Sequence, residues 1–199
     1  MVIVGITGSV SSGKTTVTKM FARLGVRVIN TDRITHELLK PSTACSRRVV
    51  KSFGPGILAG KRIDRRKLAA VVFGNASRRR ELERIVHPAV RRETVRRIRA
   101  LKKRNCRLVV VEVPLLFEAG FDRLCDVTIA VTARRGQQIA RTVKARPLTR
   151  AQVVERIKAQ MPLQEKTRRA DHVVNNSRSR LYTEKQVRSI YRQLLAACQ

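Results

Sequence analysis

Two hydrophobic patterns alternate along the chain. Near-continuous apolar runs at residues 2–7, 26–29, 107–113, 126–131 and 172–175 predict strands, the longer ones reading as parallel strands covered on both faces. Elsewhere apolar positions recur at helical spacing. They predict helices from the end of the first strand to Leu24, over 33–39, 45–53, 65–73 and 79–104, through an arginine-rich section after the fourth strand, and over 152–170 and 181–197. Gly54-Pro55-Gly56 and Gly60-Lys61 mark turns, Asp64 reads as a helix N-cap, and Pro88 is expected to break the long helix near His87. The order predicts an α/β fold in which helices wrap a five-stranded parallel sheet. Its core is expected at residues 1–40, 105–133 and 171–199, with a helical lobe inserted at 41–104 and a lid region at 134–170. No internal repeat is present, and the termini add no further domain.

The junction of the first strand and helix carries the chemistry. Gly8-Ser9-Val10-Ser11-Ser12-Gly13-Lys14-Thr15 is a complete Walker A loop, placed between strand and helix as a phosphate site requires. Glycine turns let backbone N–H groups converge on phosphate, and the helix N-terminus adds partial positive charge. Gly8, Ser11, Ser12, Gly13, Lys14, Thr15 and Thr16 are therefore the expected nucleotide-binding residues. Lys14 reaches the β- and γ-phosphates, and the Thr15 hydroxyl is placed to ligate Mg²⁺.

Asp32 follows the second strand, at the ligand edge of an open parallel sheet. It reads either as the N-cap of the next helix or as the base that orients and deprotonates an attacking hydroxyl. Glu112, ending the third strand, sits where a Walker-B-like acid would polarise the metal's shell. Glu118 reads as an acid that caps or holds a loop beneath the site. His87 before Pro88 reads as a substrate contact or as a half-buried polar residue at a kink, and sequence physics favours the second.

Composition adds one unusual feature, a formal charge of +30 from 44 Lys and Arg against 14 Asp and Glu. The basic residues are dispersed along amphipathic helices and aromatics make up 4% of the chain, which favours compositional drift over a dedicated nucleic-acid surface. Non-specific nucleic-acid binding at low salt is expected either way. Cys45, Cys106, Cys125 and Cys198 show neither zinc spacing nor a disulfide pattern and read as reduced thiols of a cytoplasmic protein. No signal peptide or membrane-spanning run is legible, so a soluble, monomeric chain without membrane insertion is expected.

Taken together, several stretches resemble the dephospho-CoA kinases. They are Ile6-Thr7-Gly8 leading into Ser12-Gly13-Lys14-Thr15-Thr16, Val28-Ile29-Asn30-Thr31-Asp32 with His36, and Ile63-Asp64-Arg65 with Leu68 and Phe73. His87-Pro88, Val113-Pro114-Leu115-Leu116-Phe117-Glu118, Gln138 with Arg141, Arg156 with Gln160, and Ala170-Asp171 with Asn176 continue the series in order. The resemblance implies a P-loop kinase of three parts, core, acceptor-binding lobe and lid, that moves the ATP γ-phosphoryl group to the ribose 3′-hydroxyl of dephospho-CoA with Mg²⁺. It implies Asp32 as catalytic base, Lys14 and Arg141 on transferring charge, and His36, Arg65, His87 and Glu118 toward the acceptor. The chain departs from the family at Asn30, where an aspartate is usual, at Ser9 and Ser11, where glycines are, and at Ala145, with Arg146 one residue past an expected arginine. The serines fit only with negative φ or some strain. Two other functions share the loop: a different P-loop small-molecule kinase of nucleoside type, and a basic nucleic-acid-binding protein with a vestigial P-loop. The first has no reason to carry the Ile63–Arg65, His87-Pro88 and 114–118 stretches in this order.

Overall fold

The computed structural model describes residues 1–72, 74–145 and 147–196, so Phe73, Arg146, Ala197, Cys198 and Gln199 lie outside the described residues. In chain order the elements are β1 (Val2–Gly8), α1 (Lys14–Arg23), β2 (Arg27–Asn30), α2 (Thr31–Leu38), α3 (Ala44–Phe53), β3 (Leu58–Ala59), β4 (Arg62–Ile63), α4 (Arg65–Val72) and α5 (Ala76–Lys102). They continue with β5 (Leu108–Glu112), β6 (Val127–Thr132), α6 (Arg135–Ala145), α7 (Arg150–Lys158), α8 (Leu163–Arg169), β7 (His172–Asn175) and α9 (Arg180–Ala196). Two compact units result: Met1–Asn30 with Arg99–Gln199, and Thr31–Ile98.

The first unit is built on the expected five-stranded parallel sheet, in the order β2-β5-β1-β6-β7. Alternation along β1 sends Val4 and Ile6 to one face, where they meet Leu108 and Val110 of β5 and Ile129 and Val131 of β6. Val17, Met20 and Phe21 of α1 and Val187, Ile190 and Leu194 of α9 close over that face. Each such side chain contributes about 1.5–3 kcal/mol on burial, which is why the positions of β1, β5 and β6 that face this cluster are apolar. On β1, a Cβ added at Gly5 would lie 2.7 Å from Cys125 Sγ, so the strand passes closer to its neighbours there than any side chain allows.

In the second unit, α3 and α4 pack about the 3₁₀ turn Pro55–Ile57 and its buried Ile57, and α2 packs on α3. Four expectations are corrected here and in the lid region. The stretch 41–104 is not wholly helical, because β3 and β4 form a small antiparallel pair across Gly60, whose φ of 58° permits the tight reversal. Pro88 does not break α5, which runs unbroken from Ala76 to Lys102. The proline removes one backbone donor, yet buried Ile85, Val86, Ala89 and Val90 on both sides hold the helix through tertiary packing. The predicted helix over 152–170 is divided into α7 and α8, because Pro162 stands at the N-cap of α8 with extended ψ of 139°. Asp32 does not precede its helix as an N-cap; it lies in the first turn of α2, which begins at Thr31. Asp64 does cap, its Oδ1 accepting from the backbone N–H of Arg66 at 2.7 Å and Lys67 at 3.3 Å.

Candidate active site

The phosphate loop leaves the centre of the sheet, where β1 ends between β5 and β6. Two glycines are dictated by crowding. A Cβ at Gly8 would stand 2.4 Å from the Val131 carbonyl oxygen, and one at Gly13 (φ 102°) would stand 1.9 Å from Asn176 Nδ2. That asparagine explains how the loop is held: its Nδ2 donates to the Ser12 carbonyl at 2.9 Å, while its Oδ1 accepts from Thr183 Oγ1 at 3.1 Å. Lys14, the first residue of α1, curls over the loop and donates from Nζ to the carbonyls of Gly8 and Ser9, both at 2.9 Å. Ser12 is fully buried and its hydroxyl has no hydrogen-bond partner among the described residues, a polar group in the loop that a ligand oxygen would satisfy. Thr16 follows Lys14 on the exposed side of α1.

Ser11 takes the strained alternative, with φ of 51°, in the left-handed region that favours glycine. Its Oγ accepts a 2.8 Å hydrogen bond from Thr142 Oγ1, a buried hydroxyl on α6. One residue earlier on the same helix, exposed Arg141 donates from Nη2 to the Asn176 carbonyl at 3.3 Å. Asn176 thus touches both the loop and the lid-region helix. Ala145 is exposed at the end of α6.

Beside the loop, sheet register builds a polar cluster. Asn30 of β2 pairs with Glu112 of β5, so both side chains project from one face, the face α1 covers. Buried Glu112 accepts from Thr15 Oγ1 at 2.8 Å on Oε1, and from Asn30 Nδ2 at 2.8 Å and Thr18 Oγ1 at 3.1 Å on Oε2. These neutral donors satisfy a carboxylate that would be costly to bury alone. With an aspartate at position 30, two carboxylates would face each other in register. This set of hydroxyl and carboxylate oxygens suits a hard cation such as Mg²⁺. Among the described residues no three His, Cys, Asp or Glu side chains gather to hold a metal, so the ion would need phosphate oxygens for the rest of its shell.

Glu118 is tied into the same unit from beneath. Its Oε1 lies 2.8 Å from Nζ of Lys166, a lysine with no exposed surface, and accepts from the Met161 N–H at 3.0 Å. Lys166 also donates to the Pro114 carbonyl at 2.8 Å, and Thr7 Oγ1, one residue before the loop, donates to that carbonyl at 3.1 Å. A buried ammonium with two oxygen partners pins the 114–118 loop against the segment between α7 and α8. Of the residues expected to bind the acceptor, Glu118 is therefore in a structural ion pair.

The other acceptor candidates lie in the second unit. His36 and Arg65 share a cavity of about 420 Å³ with Leu39, Lys40, Pro41, Arg62 and Ile63, four basic side chains around a partly apolar floor. His87, half-buried, lines a separate groove with Ser77, Arg80, Glu83, Arg84 and Pro88. Asp32 is exposed in the first turn of α2, where the helix dipole favours a carboxylate.

Lys166, Thr142 and Thr18 carry no sequence signal, since a lysine or threonine in a polar helix reads as surface until the packing is known. Asn176, by contrast, stands in the matched pattern and was available as a loop contact.

Comparison with known proteins agrees with this geometry. Residues 2–181 match the family model CoaE, dephospho-CoA kinase. The dephospho-CoA kinase of Symbiobacterium thermophilum is 41% identical over 199 residues, all of this chain and 82% of that protein. That of Geobacillus kaustophilus is 39% identical over 191 residues, 96% of this chain and 95% of the relative. Among solved structures, TT1252 from Thermus thermophilus superposes with a TM-score of 0.82 at 33% identity, covering 97% of each chain. With a full-length match of this strength lying on a P-loop sheet whose Walker A residues are all in place, the chain belongs to the dephospho-CoA kinase family.

Proposed function

We infer that this protein transfers the γ-phosphoryl group of ATP to the ribose 3′-hydroxyl of dephospho-CoA, giving coenzyme A and ADP, the last step of coenzyme A biosynthesis. Membership of the family over essentially the whole chain carries this reading. Lys14, released from the loop carbonyls, stabilises charge on the β- and γ-phosphates, and the Gly8–Thr16 segment cradles the phosphate chain. Thr15 would hold Mg²⁺ directly and Glu112 would orient its shell; when bound, the ion would supply neutralising charge to the phosphates. Asp32 takes the proton of the acceptor hydroxyl as the new P–O bond forms. Arg141, on the proposed lid region 134–170, meets the transferring phosphate when the lid closes.

The acceptor is bound by the lobe at 41–104 together with α2. The His36, Lys40, Arg62 and Arg65 cavity suits the diphosphate of dephospho-CoA, and its apolar floor of Leu39 and Ile63 suits a neutral portion of the same molecule. His87 is the further acceptor contact within that lobe. The enzyme works in the cytoplasm as a monomer; among the described residues no helix is long and apolar enough to cross a membrane.

ADP release with MgATP and dephospho-CoA, beside adenosine, uridine and no acceptor, tests the reading. Stimulation by dephospho-CoA alone with a 3′-phosphorylated product is the expected result. Equal stimulation by a nucleoside would replace it with a nucleoside-type kinase.

A further inference from the structure

Residues 31–98 hold eighteen Lys and Arg against six Asp and Glu. Five of these acids are engaged within the unit: Glu37, Glu81, Glu83 and Glu93 are each paired with an arginine, and Asp64 caps α4; the sixth, Asp32, stands in the first turn of α2. Helix α3 shows what the surplus does. It buries Cys45, Ser46 and Val49 and exposes Arg47, Arg48 and Lys51 along its opposite face. No acidic residue lies in the helix, and among the described residues none of the three cations is in an ion pair. Arg47 and Lys51 stand four residues apart, roughly 6 Å along the axis, where like charges repel. Helices α2, α5, α8 and α9 carry a glutamate that pairs an arginine three or four residues away, whereas α3, like α1, α4 and α6, has no acid of its own.

We propose that the exposed face of α3 docks the phosphate backbone of double-stranded nucleic acid. A duplex carries one negative charge per roughly 1.7 Å of axis, the dense anionic partner that a self-repelling cationic stripe suits. Recognition runs through phosphates alone. Phe53, the aromatic residue on this helix, has the Arg78 guanidinium over its ring at 5.7 Å and gives no platform for an unstacked base. The face also lacks the exposed large apolar residues that would insert into a lipid surface, since Ala44 is the other exposed position beside the cations. The docking is independent of the kinase site, which uses none of these three residues.

The test is fluorescence anisotropy of a labelled 20-base-pair duplex of mixed sequence, titrated with the full chain from 50 to 300 mM KCl. Arg47→Gln/Arg48→Gln/Lys51→Gln is compared with Arg180→Gln/Lys185→Gln/Arg192→Gln, which removes equal charge from exposed positions of α9. The α3 variant should lower the slope of log K against log salt by about 2–3, near 0.9 per lost phosphate contact, and weaken binding at 150 mM about tenfold or more. The α9 variant should change the slope by less than about 1. ADP release by both variants should equal that of the parent, which certifies the fold. Arg47 also donates to the Ser42 carbonyl at 2.7 Å, so Arg48→Gln/Lys51→Gln serves if the triple variant is unstable. Equal losses in both variants would reduce the effect to net charge and overturn the proposal. So would absence of duplex binding at 150 mM, or retention only on vesicles containing phosphatidylserine.

Discussion

Asp32, Gly13 and Glu93 show three ways a single residue matters in this kinase. Under the proposed mechanism, Asp32→Asn keeps size and hydrogen-bonding shape but cannot accept the acceptor's proton. Turnover is expected to fall about 10²–10⁴-fold with ATP affinity nearly unchanged, read from single-turnover rates beside equilibrium nucleotide binding. Near-normal turnover would remove Asp32 from the mechanism. Gly13→Ala puts a methyl group where Asn176 Nδ2 now lies, 1.9 Å away, so the loop must move and nucleotide binding should be lost. Glu93 acts on stability. The Arg96 guanidinium, in two 2.7 Å hydrogen bonds, and then Arg97 hold its carboxyl at about 2, below its ordinary 4.5. A carboxyl depressed in the folded state stabilises above the unfolded pKa and loses that contribution as pH falls through the folded one. The pair therefore stabilises fully above about pH 4.5 and not below about pH 2, and Glu93→Gln should flatten the acid limb of the stability curve between those values.

At the scale of elements, the seam between the 114–118 loop and the α7–α8 segment depends on one buried charge. Lys166→Met leaves Glu118 without its ammonium and the Pro114 carbonyl without its donor. Breaking such a pair costs about 3–5 kcal/mol, and the partial exposure of Glu118 places the loss near the lower end. Urea unfolding should read this loss directly, and Lys166→Met/Glu118→Gln, which removes both charges, should recover part of it. Recovery of nothing would mean that the lysine acts by its packing and not by its charge. Helix α5 makes a parallel point about proline. Its sequence reads as broken at Pro88 because one donor is missing, yet the flanking buried residues keep it whole.

For the whole molecule the governing quantity is +30. Self-repulsion of that size opposes the compact state, and salt screens it over a Debye length of about 10 Å at 0.1 M. Raising KCl from about 10 mM to 300 mM should therefore raise the melting temperature by several degrees. A fall would mean that ion pairs such as Arg97 with Glu37 and Glu93 outweigh the repulsion. The same charge makes moderate salt the right condition for nucleotide and acceptor binding, where counterion effects no longer mask specific contacts.

How much was legible beforehand follows from which interactions are local. The strand runs, the Walker A loop and the Asp64 cap depend on neighbours within a turn or a strand, so periodicity and residue type determined the parallel α/β sheet and the phosphate site. The family resemblance then placed Asp32, Arg141 and Asn176 by order and spacing. Tertiary structure alone decided what crosses the chain. Sheet register brought Asn30 to Glu112 across 82 positions, and packing gave Ser12 its contact with Asn176 across 164. Burial turned Lys166 from one more basic residue into the partner of Glu118. Those outcomes rest on desolvation and on which elements meet, and neither is written in any local stretch of sequence.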